Sequence, residues 1–315
     1  MPTITLGPNG PTVPALGVGT WAWGDSLFWD YGKAYGDRDL QEAFQTALES
    51  GLTLFDTAEV YGLGRSERLI GQFLQQSGQR AAIATKYFPL PWRFSQQALA
   101  DALTASLERL QVASIELYQI HWPLDFLLGQ KGLMEALAKE VHNGRVKTVG
   151  VSNYSAQQMR QAHRYLADQG VPLAVNQVQY SLLNRKIETN GVLETARELG
   201  VTILAYSPLA QGLLTGKYTQ NADLKPAGAR RLDPRFTAKG LALLQPLLQA
   251  LQEIGEQRDR TPAQVALNWL VAQGNVLPIP GAKNARQAAQ NAGALGWELA
   301  SEDQERLSQL TQAYR

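Results

Sequence analysis

Cysteine is absent from this chain, which removes disulfide frameworks, zinc ribbons, thiol nucleophiles and iron–sulfur clusters together. Charge imbalance is nearly absent too. Lys and Arg number 29 against 28 Asp and Glu, a formal net charge of +1, so bulk electrostatics draw the protein neither to nucleic acid nor to an anionic membrane. No apolar run approaches the roughly 18 residues of a membrane span, and the opening "MPTITLGPNG" has neither the basic nor the apolar region of a signal peptide. The expectation is a cytoplasmic protein whose partners are small molecules, with no nucleic acid and no membrane.

What the chain does have is rhythm. Short apolar runs rich in β-branched residues alternate eight times with longer segments of helical period. The runs are "LGVGTW" (16–21), "LTLFD" (52–56), "AAIATK" (81–86), "IELYQIH" (115–121), "VKTVGVSN" (146–153), "LAVNQ" (173–177), "VTILAYS" (201–207) and "VLPIPG" (276–281). Each is continuous, as expected for strands of a parallel sheet covered on both faces. The helices between them have readable ends. Ser95 is an N-cap ahead of Leu99, Ala102, Leu103, Leu107 and Leu110, and Thr261, Pro262 and Gln264 form a capping box. Gly51, Gly78, Gly144, Gly170 and Gly200 fit C-caps.

Eight βα units predict a (β/α)8 TIM barrel, read as one domain over 1–315. A doubly wound sheet is the competing architecture. Ahead of the first unit, "ITLGPNGPTVPAL" reads as an N-terminal β-hairpin that closes one barrel end. Extra helices come near the C-terminus: a segment 238–258, behind a Gly-, Pro- and basic-rich stretch 211–235, and "SEDQERLSQLTQAY" (301–314).

In a barrel the carboxyl ends of the strands surround one pocket. The second strand ends in Asp56, the third in Lys86 and the fourth in His121, with Tyr61 in the loop after the second. Singly, each has an ordinary explanation: a turn cap, a solvated lysine, a hydrogen-bonded core histidine, a packed tyrosine. Together, three consecutive strands deliver an acid, a base and an imidazole to one rim beside a phenol. A phenol has an ordinary pKa of about 10, and a neighbouring ammonium stabilises its anion. A desolvated ammonium stays charged when a carboxylate pairs with it. The set suits protonation of a carbonyl oxygen while hydride arrives at carbon.

At these residues the sequence resembles the aldo-keto reductases. The resemblance lies in "GLTLFDTAEVYGLGRSERLIG" (51–71), "ATKY" (84–87), "IHWP" (120–123), "GVSNYS" (150–155), "NQVQYSLLNR" (176–185), "AYSPLAQGLLTGKY" (205–218) and "IPGAKNARQAAQN" (279–291). It implies an NADP(H)-dependent barrel that reduces aldehydes or ketones, with Tyr61 as general acid, Lys86 lowering its pKa, Asp56 paired to the lysine and His121 orienting the carbonyl. It also implies a monomer. Ser152, Asn153 and Gln177 match contacts to the nicotinamide carboxamide, Tyr206 the stacking aromatic, and Gly19 and Thr20 the floor beneath it. Ser207, Leu209, Gly212 and Lys217 match pyrophosphate contacts, and Gly281, Lys283, Gln287 and Asn291 contacts to the 2′-phosphate and adenine. Many members place arginine where this chain has Lys283 and Gln287, with Arg286 alongside, so the preference for NADPH rests on a point charge without a bidentate fork.

"GVGTWA" (17–22) fits a dinucleotide fingerprint, but the run "WAWGDSLFWDYGK" (21–33) does not read as the helix such a loop requires. Among the aromatic residues near the strand ends, Trp23, Tyr87 and Trp122 are the expected walls of a substrate pocket. The competing reading is an NADP(H)-binding regulatory or redox-sensing subunit with little turnover.

Overall fold

The computed structural model describes all residues except 125, 127, 221–225, 227, 229, 231 and 232. A hairpin of β1 (Thr3–Thr5) and β2 (Thr12–Pro14) precedes eight strands: β3 (Val18–Gly19), β4 (Leu54–Asp56), β5 (Ala82–Tyr87), β6 (Ile115–Ile120), β7 (Val146–Ser152), β8 (Leu173–Gln179), β9 (Thr202–Tyr206) and β10 (Val276–Pro278). They pair in parallel in the order β10-β9-β8-β7-β6-β5-β4-β3. A parallel bridge between Gly19 and Gly281 joins the two edges, so the sheet curls on itself as the eight-fold alternation predicts.

That seam is thinner than predicted. The expected strands 16–21 and 276–281 shrink to two and three residues. Gly17 and Gly19 donate to the carbonyls of Pro278 and Pro280, and neither proline has an N–H to return, which halves the ladder. Gly19 also has to be glycine. A Cβ there would stand 2.7 Å from the Ile279 carbonyl oxygen.

The helices are α1 (Ser26–Trp29), α2 (Asp37–Glu49), α3 (Arg65–Ser77), α4 (Gln96–Leu110), α5 (Gly129–His142), α6 (Ala156–Ala167), α7 (Val192–Leu199), α8 (Lys217–Gln220), α9 (Ala238–Glu256), α10 (Pro262–Val271), α11 (Ala285–Ala292) and α12 (Ser301–Leu310). Ser95 caps α4, and the box of Thr261 and Gln264 opens α10, as expected. The fingerprint-like run 17–22 leads into turns and the four-residue α1, not into a phosphate-binding helix. Part of the basic stretch 211–235 lies outside the described residues. No helix among the described residues is long and apolar enough to cross a membrane.

The hairpin sits at the end where the strands begin. Leu6 and Val13 join Leu54, Ala84, Leu117, Val175, Leu204 and Leu277 in an apolar cluster inside the sheet. The Gly7 N–H donates to the Thr202 hydroxyl, which donates to the Thr5 carbonyl, at 2.9 and 3.1 Å. The hairpin thereby covers the amino end and leaves the carboxyl end of the strands uncovered by it.

Candidate active site

Inward-facing positions recur every second residue along a strand. Two residues beyond Leu54, Ala84, Leu117 and Val175 in the apolar layer come Asp56, Lys86, Gln119 and Gln177, all at most 2% exposed. The four form one network. Lys86 Nζ donates to Asp56 Oδ2 at 2.7 Å, to the Thr57 carbonyl at 2.7 Å and to the Tyr61 hydroxyl at 3.4 Å. Gln177 and Gln119 donate to Asp56 Oδ1 at 2.7 and 3.4 Å, so both carboxylate oxygens are occupied. A charge pair this deep is tolerable only with such full hydrogen bonding.

Burial acts to discharge Lys86, but Asp56 and the Tyr61 phenol outweigh it and hold its pKa above the ordinary ammonium value. For Tyr61 the balance runs otherwise. Burial pushes the phenol up more than Lys86 pulls it down, and Asp56 adds to the rise. Lys86 therefore acts on Tyr61 in the expected direction, but burial outweighs it: the phenol stays protonated at neutral pH, and the ammonium lowers the penalty of giving the proton up. His121 packs edge-on against Tyr61 with ring centroids 5.7 Å apart. Burial, with Lys86 adding, depresses its pKa to about 3, so the imidazole is neutral. Its Nδ1 is buried without a partner.

The network continues into the cofactor candidates. Ser152 Oγ donates to the Gln177 carbonyl and Asn153 Nδ2 donates to Ser152 Oγ and to the His121 carbonyl, while Asn153 Oδ1 accepts from the Tyr206 hydroxyl at 3.0 Å. Thr20, Ser152, Gln177 and Asn291 are buried. Thr20 is committed to the Asp56 carbonyl and Ser66, Gln177 to Asp56 and Gln119, and Asn291 to the Gly281 carbonyl. They brace the rim from within. Gly19, Asn153, Tyr206, Ser207, Leu209, Gly212, Lys217, Gly281, Lys283 and Gln287 are all partly or fully exposed.

After β9 the backbone is left-handed at Ser207, Ala210, Gln211 and Gly212, a costly run for residues with a Cβ. On the facing side, Lys283 Nζ lies 4.6 Å over both the Trp29 and Tyr35 rings, and the Arg230 guanidinium 5.1 Å over Trp29. Burial, then Arg230 and Lys217, lower the Lys283 pKa to about 8. Burial, then Arg230 and Arg286, lower that of Lys217. Lys217, Arg230, Lys283 and Arg286 thus act on one another electrostatically, with Asp30 and Asp25 opposing them at Lys283. Gln287 accepts the Lys283 backbone N–H.

Two of the three expected pocket walls are misplaced. Trp23 is fully buried against Phe55 and Phe73, its indole N–H donated to the Ala282 carbonyl. Tyr87 is fully buried as well. Strand alternation decides this, since Lys86 faces inward and Tyr87 must face the helices. Trp122 alone reaches the surface, 42% exposed. The aromatic residues that flank Tyr61 and His121 are Trp21, 6.4 Å from Tyr61, and Phe88, 5.5 Å from His121. Gln119 and Arg230 also escaped the sequence reading. Gln119 was open to discovery as the next inward position after Leu117; Arg230 carries no local signal.

Comparison with known proteins agrees with this geometry. The aldo/keto reductase family model matches residues 15–312. The chloroplastic pyridoxal reductase of Arabidopsis thaliana is 42% identical over 317 residues, covering 96% of this chain and 83% of that one. An aldo-keto reductase from Klebsiella pneumoniae, solved in complex with NADPH, superposes with a TM-score of 0.77 at 30% identity, over 99% of this chain and 96% of that one. The glycerol dehydrogenase of Gluconobacter oxydans gives 0.85 at 28% identity, over 99% and 95%. Barrel and relatives together define an NADP-dependent oxidoreductase. The chain belongs to the aldo/keto reductase family.

Proposed function

We propose that this protein reduces aldehydes and ketones to alcohols with NADPH, and that aromatic aldehydes of the pyridoxal kind are among its substrates. The buried Asp56–Lys86 pair, with its ammonium 3.4 Å from the Tyr61 hydroxyl, carries the reading. The residues fit the cofactor: the cluster of Lys217, Arg230, Lys283 and Arg286 suits phosphate groups, and in the half-buried left-handed turn 207–212 the bare backbone of Gly212 leaves room beside the Lys217 ammonium, where a Cβ would stand 3.5 Å from Nζ. Bound there, NADPH supplies a hydride to the carbonyl carbon. Ser207, Leu209, Gly212 and Lys217 are assigned to the pyrophosphate, Lys283 and Gln287 to the 2′-phosphate end, and Asn153 and Tyr206 to the nicotinamide end.

Tyr61 holds the proton that the carbonyl oxygen takes. As the proton leaves, Lys86 stabilises the phenolate, while Asp56 and the Thr57 carbonyl keep the ammonium in place. Neutral His121 offers one N–H to the same oxygen and fixes its direction. Trp21 beside Tyr61 and Phe88 beside His121 give the reacting group aromatic neighbours, which suits a substrate with a planar ring. The relative named pyridoxal reductase supports that class. The test follows NADPH absorbance after addition of pyridoxal, 4-nitrobenzaldehyde or methylglyoxal. Consumption with the two aromatic aldehydes is expected; none with any carbonyl would leave only the sensor reading standing.

A further inference from the structure

Glu59 lies two residues before Tyr61, and nothing in the chemistry above uses it. Its side chain is 7% exposed. Oε1 accepts the Phe88 N–H at 2.6 Å and Arg93 Nη1 at 2.5 Å, and Oε2 accepts Arg93 Nη2 at 3.1 Å. Arg93 also donates to the Phe88 carbonyl at 3.0 Å. The pair thus grips Phe88 by both backbone polar groups. Phe88 sets its ring edge-on against His121, and His121 stands edge-on against Tyr61.

The loop around Arg93 is inverted with respect to solvation. Trp92 and Phe94 are 68% and 61% exposed, while the guanidinium between them is turned inward over the Tyr87 ring. Water would favour the reverse. The interaction with Glu59 is what holds this loop, and a fixed Phe88 is what it delivers.

We propose that Glu59, through Arg93, is a positioning residue for the carbonyl pocket. It holds Phe88 against His121 and thereby sets how a ring-bearing substrate lies relative to Tyr61. This rests on Tyr61 and His121 being the reaction centre, as proposed above. The staple belongs to the loops after β4 and β5 and touches neither the cations nor the left-handed turn assigned to cofactor.

Two measurements test it. Glu59→Gln and Arg93→Lys are expected to lower kcat/KM for 4-nitrobenzaldehyde about tenfold and that for methylglyoxal less than about twofold, with the NADPH Kd unchanged. The double variant should be no worse than either single one, because the two residues act as one unit. The second readout needs no turnover. The chain has 3 histidines, and the His121 imidazole NMR signals, assigned with His121→Asn, should move in Glu59→Gln toward their positions in Phe88→Ala while those of His142 and His163 stay. An unmoved His121 signal, or equal losses for both aldehydes, overturns the proposal. Signals that move in a protein inert toward every aldehyde would sink the reductase reading and spare the positioning.

Discussion

The two ends of this barrel are built from the same strands and obey opposite rules. At the amino end the inward layer is Leu54, Ala84, Leu117 and Val175, plugged by Leu6 and Val13 from the hairpin. One step along the same strands it becomes Asp56, Lys86, Gln119 and Gln177. Backbone strain obeys the same division. Leu63, Asn153, Ser207, Ala210 and Gln211 are left-handed in loops that follow the strands, while the other three described non-glycine cases, Asp30, Gln111 and Asp259, merely follow helix ends. One end is held by apolar packing and the hydrogen bonds of the hairpin; the other carries buried charge and strained backbone.

Mutations can break that division or sharpen it. The largest effect is expected at Tyr61: Tyr61→Phe should lower kcat about 10³-fold, the weight of a positioned proton donor, with NADPH binding and Tm nearly unchanged. Near-equal rates would strip Tyr61 of its role. Leu6→Ala, at the opposite end, should do the reverse, lowering stability by about 3 kcal/mol while kcat measured well below Tm stays within about twofold. A fall in kcat without a fall in Tm would show that the ends are not separable.

Smaller effects probe charge. Lys283→Ala should weaken NADPH binding by about 2 kcal/mol, as for a hydrogen bond to a charged group, with little change for NADH. In the wild type the preference for NADPH should shrink as pH rises through about 8, where Lys283 loses its proton; equilibrium titration of both cofactors reads this directly. The least effect concerns His121. Its pKa is about 3 folded against 6.5 in an open chain, so the unfolded chain binds a proton that the folded one refuses, and stability falls as pH drops below 6.5. Denaturant melts of wild type and His121→Asn should diverge by about 1 kcal/mol at pH 5.5. Parallel curves would mean that His121 is charged in the fold.

Much of this was legible in the chain. The eight apolar runs, the caps at Ser95 and Thr261, and Asp56, Lys86 and His121 at successive strand ends with Tyr61 in the loop between are local patterns, and local patterns survive in a linear sequence. The pocket was less so. Trp23 and Tyr87 stand beside reactive positions in sequence and point the other way in space, because neighbouring strand residues face opposite sides. Reading the strands as uniformly apolar hid that alternation, and with it Gln119 between Leu117 and the barrel mouth.

By itself the sequence determined the order of strands and helices, the hairpin and which polar residues stand at the strand ends, since periodicity and turn chemistry act over a few residues. Only the tertiary structure decided the rest. Closure of the sheet brings Gln177 to Asp56, across 121 positions of sequence, and sets Lys283 over Trp29, across 254. It also fixed the sign of the Tyr61 shift, because desolvation depends on everything packed around a group, and no stretch of sequence contains that.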